Sequence, residues 1–189
     1  MTIIQYLNTI HPLPNEAEEL LNSLFEPMEL PKGTKINCSE KKFYKIMFVE
    51  KGLIRLYHEK ESKDVTFLFL DENSFSLPID SVLFDLPNKY SWHVLEDTSI
   101  RLGDFQEIQN LYQLLPFLEN ITRVNLYNII KMLSDKLDAI QFQTVEERYH
   151  FMIQRYPNIL LRAPLGHIAS YLGMTQQTLS VIRAKKKLY

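Results

Sequence analysis

Apolar residues recur along this chain with two different periods, and the change of period divides it. Residues 2–25 carry helical spacing, interrupted by Pro12 and Pro14. Asn15 followed by Glu18 is a start signal for a second helix, whose apolar face is Leu20, Leu21, Leu24 and Phe25. From Met28 to about Leu102 the apolar runs shorten and alternate with turn residues. Pro31-Lys32-Gly33, Lys51-Gly52, Glu59–Asp64 and Asp71–Ser74 read as turns. They leave strands at Tyr44–Glu50, Leu53–Tyr57, Val65–Leu70, Ser91–Glu96 and Ser99–Leu102, with one short helix or loop in Pro78–Pro87. Such a series predicts a β-roll, barrel or sandwich.

Helical spacing returns at Asp104, an N-cap for a helix running to about Leu115. The stretch from Phe117 to about Gln143 has no Gly or Pro. Within it Leu126, Ile130, Leu133, Leu137 and Ile140 recur at spacings of 4, 3, 4 and 3. At 1.5 Å per residue this helix is about 40 Å long, more than a small β domain covers. The seam is expected to be the interface with the same helix of a second chain, the alternative being packing on its own domain. Val145–Tyr156 is a further amphipathic helix with Tyr149, Met152 and Ile153 inward, and Ile159–Leu161 is a short strand or extended link.

The last segment carries the most specific pattern. Leu165, Ile168, Ala169 and Leu172 give a short helix one apolar face, with Pro164 in its first turn. Gly173 stands where a helix ends in the left-handed conformation. Thr175 then caps a second helix, Gln176 to about Ala184, whose inward residues are Leu179 and Ile182. A small Ala169 suits two helices that cross closely after a tight turn, the geometry of a helix-turn-helix. The outward side chains Gln176, Gln177, Ser180 and Arg183 all hydrogen-bond, as base-edge or phosphate contacts require. A hairpin that only packs on another element is the competing reading.

Charge sharpens the division. The net charge is −2, yet from Arg148 to Tyr189 there are seven basic residues and no acidic one, leaving −9 for residues 1–147. A basic end on an acidic body is the electrostatic outline of a nucleic-acid reader joined to something else. With 46% apolar residues the composition supports real cores, and no run reaches the ~18 apolar residues of a membrane span. Met1–Ile10 has neither positive charge nor a small-residue cleavage site, so no secretory signal is expected and the location is read as cytoplasmic.

Over essentially its whole length the sequence resembles the Crp/Fnr superfamily of transcription regulators. The matching residues are Pro31-Lys32-Gly33, Val49 to Arg55, Leu95-Glu96-Asp97-Thr98, Glu146-Glu147-Arg148-Tyr149 and Ile168 to Thr175. The run from Ile168 to Arg183 is most similar to the branch common in Bacteroidetes-type bacteria. The resemblance implies an α+β fold with a sensor β-roll over residues 1–115, a dimerisation helix over 116–144, and a winged-helix-like helix-turn-helix domain over 145–189. It further implies sequence-specific binding of a pseudo-palindromic site by a homodimer.

Members that bind a cyclic nucleotide open the phosphate-binding loop with Phe-Gly-Glu and close it with Arg-Ser/Thr-Ala. Here the corresponding ends read Phe75-Ser76-Leu77 and Asn88-Lys89-Tyr90-Ser91, so the glycine and the carboxylate are missing and only Lys89 offers a cation. Binding of cyclic AMP is therefore not expected. Phe75, Ser76, Leu77, Lys89, Tyr90 and Ser91 remain the candidate pocket for an unidentified effector. The reading helix also departs from better-studied members, with Gln176, Gln177 and Val181 in place of Arg, Glu and Arg. The candidate DNA contacts are Thr175, Gln176, Gln177, Ser180, Val181, Arg183, Lys185 and Lys186. The expected partners are double-stranded DNA, a second copy of the chain, RNA polymerase and that effector, with no membrane.

Catalytic and metal chemistry have no matching pattern. The five histidines share no ligand spacing, His58 and His93 being the two nearest the roll. Cys38 is the single cysteine and reads as a small packed residue rather than a redox sensor. Glu146 and Glu147 are adjacent and diverge on a helix. No phosphate loop, nucleophile elbow or triad signature occurs, so no enzyme is expected. An assembly module with weak DNA binding is the alternative function.

Overall fold

The computed structural model describes residues 1–40, 43–60 and 63–186, with the side chains of residues 60, 185 and 186 outside that description. The chain begins with α1 (Ile3–Ile10) and α2 (Asn15–Leu24). Thr2 and Gln5 close a capping box on α1. The cap expected at Asn15 is not formed. Pro14, with φ −62° and ψ 148°, takes that position without a side-chain bond. Glu18, the other half of the signal, instead accepts a 2.6 Å hydrogen bond from Asn8.

Among the described residues eight strands follow: β1 (Phe25–Leu30), β2 (Lys35–Asn37), β3 (Ile46–Lys51), β4 (Ile54–Lys60), β5 (Lys63–Leu70), β6 (Phe75–Ser76), β7 (Ser91–Val94) and β8 (Thr98–Gly103). They form two antiparallel sheets, ordered β1-β8-β3-β6 and β2-β7-β4-β5. The alternating inward residues of both sheets, Met47, Val49, Ile54, Trp92, Val94 and Ile100 among them, meet in a common core. Gly52 fixes one corner of the roll. Its φ of 102° is left-handed, and a Cβ there would lie 2.2 Å from the Thr98 hydroxyl. The short helix α3 (Ile79–Phe84) fills the region between β6 and β7.

The C-terminal half is helical: α4 (Phe105–Asn110), α5 (Phe117–Phe142), α6 (Val145–Arg155), α7 (Ile159–Arg162), α8 (Leu165–Leu172) and α9 (Gln176–Lys186). Asp104 caps α4 as expected, accepting from the N–H groups of Gln106 and Glu107. That helix stops at Asn110 and continues as turns to Leu114, short of the Leu115 end that periodicity suggested. Residues 159–162, read as a strand or link, are helical: Tyr156 and Asn158 carbonyls accept from Ile159 and Leu161, and buried Ile159 anchors the turn.

A second core joins α1, α2, α4 and the start of α5 against Phe25 and Phe48. A third is shared between α6–α9 and the roll, because Leu53, Phe69 and Leu95 pack among Tyr149, Met152, Ile168 and Leu179. The helix-turn-helix unit is thus seated on the roll by a continuous apolar contact. Among the described residues no helix is long and apolar enough to cross a membrane.

Candidate nucleic-acid interface

The turn between α8 and α9 is built from local bonds. Ile168, Ala169 and Leu172 are buried on α8, and Gly173 ends it at φ 68° and ψ 37°. The Gly173 N–H donates to the Ser170 carbonyl at 3.2 Å and the Met174 N–H to the Ala169 carbonyl at 3.0 Å, a Schellman closure. One residue later Thr175 Oγ1 accepts from the Thr178 N–H at 3.1 Å and starts α9. Leu179 and Ile182 turn inward, and Ala169 is fully enclosed.

Gln176, Gln177 and Ser180 are exposed on the outer face of α9, together with Val181 at 57%. Arg183 is half-buried. Thr175 serves as the cap, its hydroxyl bonded to that of Thr178 at 2.9 Å. The side chains of Lys185 and Lys186 and the whole of Lys187 lie outside the described residues.

The way this unit is held was not legible in the sequence. β5 is the edge strand of its sheet, and an uncovered edge offers free backbone groups to any other strand. Three of those groups are taken by side chains from the helical half. Ser170 Oγ accepts from the Thr66 N–H at 2.9 Å, the Tyr156 hydroxyl donates to the Phe69 carbonyl at 2.9 Å, and Lys136 Nζ donates to the Phe67 carbonyl. Beside this edge Arg162 forms a two-carboxylate clamp. It donates to Glu96 at 2.7–3.1 Å and to Glu72 at 2.8 and 2.9 Å. Burial works to raise the pKa of Glu72. The hydrogen bonds from Arg162 and from the Gly52 N–H outweigh it and hold that carboxyl below its usual range. Bonding to Glu96 and Glu72 in turn raises the pKa of the guanidinium.

The clamp changes the meaning of the charge asymmetry. Arg162 is neutralised inside the molecule, and Arg155 stands 3.9 Å from Asp71. Of the basic residues in the last segment, Arg183 is the described one on the reading helix itself.

Inside the roll, Phe75, Ser76, Leu77 and Tyr90 line a cavity of about 230 Å³ with Trp92 and Leu133. Lys89 and Ser91 do not line it. Lys89 points to Asp80 at 3.5 Å, and Ser91 pairs in β7 with Asn37 and Tyr57. Lys45, also on the wall, is bonded to Glu26 at 3.1 Å. Tyr90 stacks on Phe67 with ring centres 4.5 Å apart. The wall is therefore largely aromatic and aliphatic, with Asp80 and Asn88 as further polar members, and its cation, Lys45, is already matched by a carboxylate.

On α5 the seam splits in two. Ile130, Leu137 and Ile140 are exposed, at 62%, 53% and 53%, and Tyr127 at 60% extends their stripe. Leu126 and Leu133 are partly covered by their own chain, lining cavities beside the roll.

Of the histidines singled out earlier, His58 Nδ1 lies 2.9 Å from the Lys89 carbonyl. His93 meets His167 of α8 with ring centres 5.3 Å apart. Burial, with Arg55 and His93 nearby, pushes His167 down to about 4. Burial likewise pushes the Cys38 thiol up to about 12, where it stays protonated and unreactive. Among the described residues no group of three or more His, Cys, Asp or Glu could hold a metal ion.

Similarity of shape places this architecture. FixK2 from Bradyrhizobium japonicum superposes with a TM-score of 0.72 at 14% identity, over 85% of this chain and 83% of that one. A putative transcriptional regulator of the Crp/Fnr family from Eubacterium rectale gives 0.69 at 14%, over 97% and 88%. A CooA variant from Carboxydothermus hydrogenoformans gives 0.66 at 20%, over 88% and 78%. No family profile and no curated protein matches by sequence. The fold is that of the Crp/Fnr-type regulators, with a cyclic-nucleotide-binding-like roll, a long helix and a helix-turn-helix.

Proposed function

We propose that this protein is a dimeric, sequence-specific DNA-binding regulator of transcription, with a roll that does not respond to cyclic AMP. The observation that carries the reading is the α8–α9 turn. Its Schellman closure, enclosed Ala169 and capped α9 present Gln176, Gln177, Ser180 and Val181 to solvent on the N-terminal half of one helix, where a major-groove reader contacts bases. Likeness in fold to a putative transcriptional regulator of the Crp/Fnr family supports it. The exposed stripe Tyr127, Ile130, Leu137 and Ile140 is the surface on which a second α5 would pack, so that two reading helices face a two-fold site. In this reading residues 1–115 are the sensor unit, 116–144 the dimer helix and 145–189 the reader.

The roll cavity supports an apolar effector over a nucleotide. A phosphate needs free donors, and Lys45 and Lys89 are both matched by acids. Titration of the purified protein with cyclic AMP tests this, and micromolar binding would overturn it. The DNA reading is tested by selecting bound duplexes from a random pool. Wild type should yield a two-fold-symmetric logo. Gln177→Ala should change the preferred bases, because a glutamine amide pairs with adenine in the major groove. Arg183→Ala should weaken every sequence alike, as loss of a phosphate contact does. Identical logos for wild type and Gln177→Ala would count against α9 as the reader.

A further inference from the structure

A second cavity, of about 350 Å³, lies outside the roll where the two halves of the molecule meet. Its walls come from the Asn73–Phe75 turn of the roll, from α5 through Asn128 and Lys136, and from the reader half through Phe151, Arg155 and Tyr171. Two features define what it would hold. Lys136 donates to the Phe67 carbonyl and sits over the rings of Tyr171 and Phe67, at 4.3 and 5.0 Å, but has no carboxylate partner among the described residues. An ammonium keeps two further donors after that one bond. Arg155, stacked on Tyr156 at 4.8 Å, has Asp71 no closer than 3.9 Å.

Lys136 with spare donors, Arg155 only loosely paired with Asp71, and aromatic walls describe a site for an amphiphilic anion, the wall's own carboxylate, Asp135, being taken by Lys131. We propose that this junction cavity binds a small organic anion, a carboxylate or phosphate carrying an aromatic or acyl body. Its charged head lies toward Lys136 and Arg155, and its body lies against Phe75, Phe151 and Tyr171. The volume falls in the ordinary range for small-ligand sites. Because roll, long helix and reader each contribute to the wall, an occupant touches all three at once. It biases how the reader is seated, which is the physical requirement for coupling two sites. The roll cavity differs in kind, since its cation, Lys45, already has a carboxylate partner 3.1 Å away.

The test is the thermal midpoint of the full-length protein with 4-phenylbutyrate, phenyl phosphate and the neutral 4-phenyl-1-butanol. A ligand of the native state raises the midpoint in proportion to its saturation. At least one anion should raise it and the alcohol should not, and the stronger of the two anions tells a carboxylate site from a phosphate site. Lys136→Met should weaken the effective anion about tenfold or more, the scale of a charge-assisted hydrogen bond, and Arg155→Gln less. Leu77→Trp, which narrows the roll cavity, should leave it unchanged. If Lys136→Met does not melt cooperatively, half-exposed Arg155→Gln decides the matter alone. Equal stabilisation by the alcohol, no response to either anion, or loss on Leu77→Trp with retention in Lys136→Met or Arg155→Gln would each overturn the proposal.

Discussion

The reading turn and the clamp beneath it hold the same helices by different means. Across the turn, the bonds from Met174 to Ala169 and from Thr178 to Thr175 span five and three positions. Across the clamp, Arg162 reaches Glu96 over 66 positions and Glu72 over 90. The first arrangement sets the shape of the reader, and almost any seat would leave it intact. The second sets where the reader stands relative to the roll. Recognition and orientation are therefore separable properties of one unit, and substitutions should divide them.

The largest effect is expected from Arg162→Ala. It leaves two half-buried carboxylates facing each other with no cation, a loss of about 2 kcal/mol after allowance for their partial exposure. Urea unfolding should show that loss, while the isolated helical content by circular dichroism stays close to wild type. Arg162→Lys should recover little, because one ammonium cannot bond both acids in the fork geometry. An Arg162→Ala protein as stable as wild type would mean the clamp is incidental.

Next comes Gly173→Val, which forces a β-branched residue into the left-handed region at about 1–2 kcal/mol. Here the outcomes should reverse. Specific DNA binding is lost by mobility shift while the Arg162 contacts to Glu72 and Glu96 survive, visible as unchanged protection of the Gly52 amide in hydrogen exchange.

A smaller, graded effect concerns His167, where α8 meets β7. Its folded pKa lies near 4, below the usual 6.5, so the unfolded chain takes up the proton first as pH falls. The stability it contributes is complete above about pH 6.5 and is lost progressively toward pH 4. Arg55, His93 and Lys35 all oppose the charged form, with Asp64 the one acid that favours it. Thermal melts from pH 7 to pH 4 should show this decline, and His167→Gln should flatten it. A decline of the same size in that variant would place the responsible groups elsewhere, His93 first among them, since burial lowers its pKa as well.

The contrast also explains what could be read from the sequence. Gly173, Ala169 and Thr175 announce the turn because left-handed closure and N-capping each need particular residue types within a few positions. The long helix α5 was legible for the same reason, since helical period is local, although Leu126 and Leu133 of its apolar repeat turn partly toward their own chain. Strands β3, β4, β5, β7 and β8 were found to within a few residues from their turns, whereas β1, β2 and β6 were not, and Phe25, read as part of a helix face, begins β1. Ser170, Tyr156 and Arg162 were not. Ser170 and Tyr156 were ordinary positions on helices, and Arg162 was counted only as part of a basic segment. Nothing in their spacing says that β5 is an edge strand whose backbone groups they satisfy. Lys89 shows the opposite error. Its place at the end of the phosphate-type loop suggested an anion contact, but Asp80, nine positions earlier, is matched to it instead.

The most direct test of a dimeric reader is the affinity of the purified protein for a selected duplex as the spacing of its two half-sites is changed. Two α9 helices related by a two-fold axis require half-sites about one helical turn apart. Inserting about five base pairs, half a turn, should cut affinity tenfold or more, and the loss should be the same for either half-site sequence. Affinity indifferent to that insertion would contradict the account.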